Sequence, residues 1–295
     1  MLERDISIIN ENASAIISRG HAEVEKLLSQ IDELAHLLCE EAGEEEIFFR
    51  DRVFREKYLS SVSALRREGK GVNGETLDLV DRTASLFVRG ALCRGICDLL
   101  GISGVRSVST FFDEVGGDDR TVCYVRNHNS DKAYLAFAGV LSEPKAIYAE
   151  DFTQACESVY YGRSTYCILP VSNSTDGRLG SFRNLLIKYA LKMVCVTAVG
   201  DEDSKTVFAL VKKELEIPKD EGSAYLDIRL PQTSDVSEVT AVAEVCSMRV
   251  TEVSYYEGGH CDLTLTVSED GICGFLAYLN LEHPDFIAVG MYKKI

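Results

Sequence analysis

Residues 166–177, YCILPVSNSTDG, bring together side chains able to hold a small polar ligand. Four apolar residues, Tyr166 to Leu169, run into Pro170, and the chain then turns through Ser172, Asn173, Ser174 and Thr175. An amide and hydroxyls delivered at the C-terminal end of a strand stand where ligands of α/β sheets bind. The same residue types also suit a plain turn, because Asn and Ser after a strand bond their own backbone. A second set, Arg126 and His128 in RNHNSD, follows an earlier strand, where a polar loop is the plainer reading. Ligand contact is therefore expected at Asn173, Ser174, Thr175, Arg126 and His128.

These residues need elements to position them. Leu2, Ile6, Ile9, Ala13, Ile16, Gly20, Val24, Leu27, Ile31, Leu34 and Leu38 keep one apolar stripe on one helix face. A helix of that length buries its stripe only against other helices or a second subunit. Gly43, in CEEAGEEE, ends it. Two further helices are expected, at about 45–68 with Phe48, Val53, Leu59, Val62 and Leu65 inward, and at 76–100. From Thr121 to Lys213, β-rich runs at 122–125, 146–149, 166–169, 193–199 and 207–212 alternate with helices near 131–139, 151–161 and 180–191. That alternation predicts a mostly parallel sheet flanked by helices. Residues 224–292 read β-α-β-β-α-β, the ferredoxin-like split arrangement, with EGGH (257–260) as the hairpin turn. The fold class is multidomain, α, then α/β, then α+β, divided at 1–102, 103–216 and 222–295.

Composition narrows the function classes. The chain has 295 residues, 46% hydrophobic and 26% charged, with a formal charge of −16. That charge argues against nucleic acid and anionic membrane surfaces as partners. No apolar run approaches the ~18 residues of a membrane span. The charged start, MLERDIS, has no secretory pattern, and a cytoplasmic location is expected. The ten cysteines stand singly in apolar runs without a C-x-x-C pair, which fits buried thiols in a reducing cytosol. Cys93 and Cys97 lie one helical turn apart with no nearby histidine, so no metal and no cofactor are expected.

The order of parts, with ESVYYGRSTYCILPVSNSTDGRLGSFRNLL (157–186), resembles the bifunctional chorismate mutase–prephenate dehydratase family. That stretch is similar to the dehydratase segment in which a helix and a glycine precede a strand, then P-I-E-N-S, then a glycine and a helix. SKTVFALVKK (204–213) is similar to the family's N-x-T-R-F segment. The resemblance implies a three-helix chorismate-mutase-like domain, a prephenate-dehydratase-like α/β lobe and a C-terminal ACT-like domain, the family's phenylalanine sensor. It places substrate contacts on Asn173 and Ser174 and a catalytic hydroxyl on Thr206.

The departures from the family pattern carry as much weight. The glutamate before Asn-Ser is Ser172 here, and the arginine after the catalytic threonine is Val207. The family's glycine-rich turn after the first strand reads RNHNSDK (126–132). Only residues 187–205 occupy the interval where the family inserts a second lobe, and a single lobe leaves no cleft wall to exclude water. The long helix offers Arg4, Arg19 and Lys26 for a dianion, and the acidic run after it would repel one. In the ACT-like part, TSDV (233–236) and SYYE (254–257) replace the phenylalanine-site segments. The expected function is a non-catalytic relative, homodimeric, that binds a small aromatic metabolite or amino acid and is linked to L-phenylalanine biosynthesis. Assembly with an active homologue is a further expectation. The alternatives are an enzyme retaining dehydratase or mutase activity, with Thr206 as its catalytic hydroxyl, and an ACT-type amino-acid-binding module.

Overall fold

The computed structural model describes residues 25–40, 49, 51–68, 76–112, 120–142, 144–201, 204–215, 224–256 and 259–295. Outside them lie residues 1–24, expected to begin the long helix and carrying Arg4 and Arg19, the acidic run at 41–46, and residues 69–75 and 217–223, expected as a turn and a linker. The side chains of residues 64–84, Leu65 included, also lie outside.

Helix α1 (25–40) buries Ile31 and Leu38 of the expected stripe, leaves its Leu27 and Leu34 half-buried, and also buries Ala35, which the stripe did not include. Helix α2 (Arg52–Glu68) starts later than expected, because the Asp51 carboxylate accepts the Val53 and Phe54 amides at 3.1 and 3.2 Å and caps it. Its buried stripe is Phe54, Tyr58 and Val62, while Val53, expected inward, is 60% exposed. Four-residue steps from the cap point Phe54, and not Val53, at the core. Helix α3 (Thr76–Leu99) buries Leu86, Leu92, Cys93, Ile96 and Cys97. A 3-10 helix (Val105–Phe111) follows.

The middle segment contains β1 (Thr121–Val125), α4 (His128–Leu141), β2 (Lys145–Ala149), α5 (Phe152–Tyr160), β3 (Tyr166–Asn173), β4 (Gly177–Arg178), α6 (Gly180–Lys188), β5 (Lys192–Val199) and β6 (Thr206–Lys212). The last contains β7 (Ala224–Leu230), α7 (Val236–Val245), β8 (Arg249–Tyr255), β9 (Cys261–Thr266), α8 (Ile272–Glu282) and β10 (Ile287–Lys294). All join in one sheet, ordered β2-β1-β3-β6-β5-β10-β7-β9-β8, with the short β4 paired to β3. Within the last segment the order β10-β7-β9-β8 and the antiparallel pairings are those of a βαββαβ module.

The sheet is mixed, not mostly parallel as the alternation suggested. β1 pairs parallel with β2 and β3, and β5 with β10, whereas β6 runs antiparallel to both β3 and β5. The reason is connection length. Residues 200–205 are too few for a crossover, so β5 and β6 form a hairpin. The β5–β10 pairing is close. A Cβ on Gly290 would stand 2.5 Å from the Met193 carbonyl oxygen, so only glycine fits there.

One face of the module sheet (Leu226, Ile228, Leu263, Leu265) shares a core with α7, α8 and the N-terminal helices. A buried polar network joins them. Arg89, 3% exposed, donates from Nε to Glu282 at 2.8 Å, pairs with the same carboxylate through Nη2, and reaches Glu238 at 3.2 Å. The Tyr58 hydroxyl donates to Glu282 at 2.9 Å. Beside it, His283 bonds Ser234 Oγ through Nδ1 (2.9 Å) and Tyr278 Oη through Nε2 (3.0 Å). Burial pushes the His283 pKa below its usual value. A depressed value means that its stabilising contribution is complete above the unfolded pKa of ~6.5 and falls away as pH drops below that. The melting temperature should therefore decline between about pH 7 and pH 5, and His283→Gln should flatten that part of the curve.

Candidate functional site

Strand β3 does not stop at Pro170. It continues to Asn173 through an irregularity between Pro170 and Ser172 in its ladder with β6. Proline is tolerated because the pairing with β1 covers only Tyr166 and Cys167, so that side of the strand has no partner at residue 170.

Asn173 then closes a tight turn into β4. Its Oδ1 accepts the amides of Thr175 (3.0 Å) and Asp176 (2.5 Å), and its Nδ2 donates to Asp176 Oδ2 at 2.9 Å. Ser174 is tied to the neighbouring turn: its amide donates to the Lys205 carbonyl at 2.8 Å, and its Oγ accepts the Lys205 amide at 3.2 Å. Thr175 is exposed. Thr206, half-buried, opens β6 directly opposite Asn173 and Val199. The structure thus brings Asn173, Ser174 and Thr206 together, with the Asn173 amide committed to its own turn.

Arg126 and His128 are not part of this group. Extending the β1–β3 register two residues beyond its last pair, Cys123 with Cys167, sets the end of β1 at Val125 beside Leu169, and Asn173 lies four residues further on, roughly 13 Å at ~3.3 Å per residue. The Arg126 guanidinium lies 5.1 Å from the Tyr148 ring centroid and 3.9 Å from Asp131. His128 is the exposed first residue of α4, whose cap is Asn127.

Next to the Asn173 turn is a partly open cavity of about 220 Å³ between the β3–β6 ends and the module sheet. Ser172, Asn173 and Val207 line one side, and Arg178, Arg183, Asp227, Glu252 and Lys294 bring charge to it. Behind its wall is a buried ionic layer. Arg183, on α6, gives Nη1 and Nη2 to the two Asp227 oxygens at 2.6 and 2.7 Å and Nε to Asp262 at 3.0 Å. Arg229 holds the other side of Asp262 at 2.7 and 3.1 Å. Two-pronged pairs of this kind are the strong ones among charged hydrogen bonds. Burial opposes the Arg183 charge, yet Asp227 and Asp262 outweigh it and raise its pKa. Burial likewise opposes ionisation of Asp262, but its arginine partners hold it below the usual carboxylate range.

Arg178 is the member nearest the cavity. It is 10% exposed, with Nε 2.5 Å from Glu252 Oε1 and Nη2 bonded to Thr264 Oγ1. Its buried Nη1 has no hydrogen-bond partner among the described residues, and Asp227 Oδ1 is 3.7 Å away. Reading the sequence alone missed these residues. The available signal was AYLDIRL (224–230) and CDLTLT (261–266), in which Asp227, Arg229 and Asp262 fall on one face of strands whose other face is wholly apolar. Among the described residues no group of three or more His, Cys, Asp or Glu is placed to hold a metal. Nor is any described helix long and apolar enough to cross a membrane.

No protein-family model matches the chain, and no curated protein does. Among solved structures it is similar to prephenate dehydratase from Streptococcus mutans, with a TM-score of 0.48 and 14% identity over 59% of this chain and 98% of that one. A prephenate dehydratase from Arthrobacter aurescens, in complex with L-Phe, gives 0.47 and 11% over 58% and 89%. GqqA, described as a novel type of quorum quenching acylase, gives 0.45 and 18% over 59% and 94%.

Proposed function

We propose that the chain is a non-catalytic relative of the chorismate mutase–prephenate dehydratase family that binds a small metabolite and regulates aromatic amino acid synthesis. The observation that carries this reading is the commitment of Asn173. An amide that accepts two backbone N–H groups and donates to Asp176 has little left for a substrate carboxylate. Val207 and Ser172 supply neither the cation nor the carboxylic acid that the family pattern places at these two positions beside Thr206. The βαββαβ module stands against the β3–β6 ends, with a small cavity between them. The reading extends to a division at 1–102, 103–216 and 222–295, an ACT-like role for the last segment, and a cytoplasmic homodimer organised by the helices.

The test is turnover. Purified chain supplied with millimolar chorismate and then prephenate should consume neither and form no phenylpyruvate above the no-protein rate. Turnover abolished by Thr206→Ala would overturn the proposal and establish a dehydratase that works with one lobe.

A further inference from the structure

We propose that the end of the α/β lobe away from Asn173 is a docking surface for a glutamate- or aspartate-rich segment of a partner protein. The proposal is independent of the function proposed above. Helix α5 ends at Tyr160 just before β3 begins, α6 ends at Lys188 just before β5, and β6 ends there at Lys212. Tyr160 lies edge-on to Tyr161 and Tyr189, with ring centroids 5.1 and 5.7 Å apart. Tyr161 is 64% exposed and Tyr160 43%. Three exposed cations stand on these rings. Arg163 is 5.5 Å from the Tyr161 centroid, Lys213 5.9 Å from that of Tyr160, and Lys188 4.8 Å from that of Tyr189.

Two observations separate this surface from an ordinary solvated face. The first is that its charges are unanswered. Among the described residues, each of the three cations has a tyrosine ring, and no carboxylate, as its partner. Asp and Glu outnumber Lys and Arg by 47 to 31 in this chain, so positive charge left over at one place is a local exception. The second is that the cluster already holds one carboxylate: the Tyr189 hydroxyl donates to Glu157 at 3.1 Å. Tyr160 and Tyr161 carry the same donor out to solvent, where a partner's carboxylates can take it. Helix dipoles favour Arg163 and Lys188 near the ends of α5 and α6, but they explain neither two exposed rings nor Lys213. A phosphate backbone or an anionic membrane would set a long run of negative charge against a chain of −16. A short acidic segment meets the three cations and keeps the rest of its own chain away.

Fluorescence anisotropy of the full chain with labelled deca-glutamate tests this, with deca-glutamine and oligo-dT of equal length beside it. Deca-glutamate should bind in about 0.01 M salt and at least tenfold less tightly in about 0.15 M. Lys188→Glu combined with Lys213→Glu should abolish binding. Arg106→Glu combined with Lys132→Glu changes the net charge equally at exposed cations elsewhere, and should leave binding within twofold. Tyr161→Ala should weaken binding at least threefold while the melting temperature holds, because the ring stands mostly in solvent. No binding of deca-glutamate, equal binding of deca-glutamine, tighter binding of oligo-dT, equal losses in the two double variants, or binding unmoved by Tyr161→Ala would each overturn the proposal.

Discussion

Arg183→Ala is expected to destabilise the fold by about 3–5 kcal/mol, the usual loss when one partner of a buried ion pair is removed. Arg183 is 2% exposed, Asp227 2% and Asp262 0%, so in the intact fold the guanidinium stands in place of bulk water as the partner of both carboxylates. Asp262 would keep Arg229, but Asp227 would lose both of its short bonds and retain only Arg178 at 3.7 Å. The loss should appear as a lower urea midpoint with an unchanged slope. Arg183→Met combined with Asp227→Leu should recover much of it, because a well-packed apolar pair is often no less stable than the ionic one. Acid should act on the same layer. The Asp262 pKa is depressed in the fold, so its contribution is complete above about pH 4 and is lost as pH falls below that. An unchanged urea midpoint in Arg183→Ala would mean that α6 is not held to the module sheet as described.

Arg89→Ala is the second large effect, again about 3–5 kcal/mol, but it should fall on a different joint. Arg89 links α3 to Glu282 on α8 and Glu238 on α7, and Tyr58 on α2 shares Glu282. Without the guanidinium, Glu282 is a buried carboxylate with Tyr58 as its remaining side-chain donor. The N-terminal helices should then separate from the module before the sheet melts. Limited proteolysis should cut within residues 52–99 of the variant while the fragment carrying the sheet survives. Glu282→Gln, which keeps the shape and loses the charge, should give a milder version. Simultaneous digestion of both parts would show that the joint is not local.

Much of the fold is legible in the sequence, and the residues show why. Runs such as AYLDIRL and CDLTLT carry the two-residue period of strands, and α7 of the βαββαβ run carries its own cap, Asp235. Strand direction was less accessible, because it depends on whether residues 200–205 can make a crossover. The β5–β10 pairing joins strands nearly a hundred residues apart, and nothing local marks such a register. The Asn173 motif was visible as a motif, whereas its use as a turn rests on Asp176 reaching back to its amide. The cavity was hidden for the same kind of reason. Arg178, Arg183, Asp227 and Glu252 come from four different elements and look, in sequence, like ordinary charges on strands and helices.

The central claim is that the βαββαβ module is docked on the α/β lobe, so that a cavity, not an open cleft, lies beside Asn173. Hydrogen exchange of the β5 amides tests it most directly, because Met193, Cys195 and Val196 pair across the joint with Gly290, Lys293 and Lys294. The account predicts that β5 and β10 exchange together, only through global unfolding, and that Arg183→Ala speeds both equally. Rapid exchange of β5 amides while β7 and β9 stay protected would contradict it, for the module would then be folded yet free of the lobe.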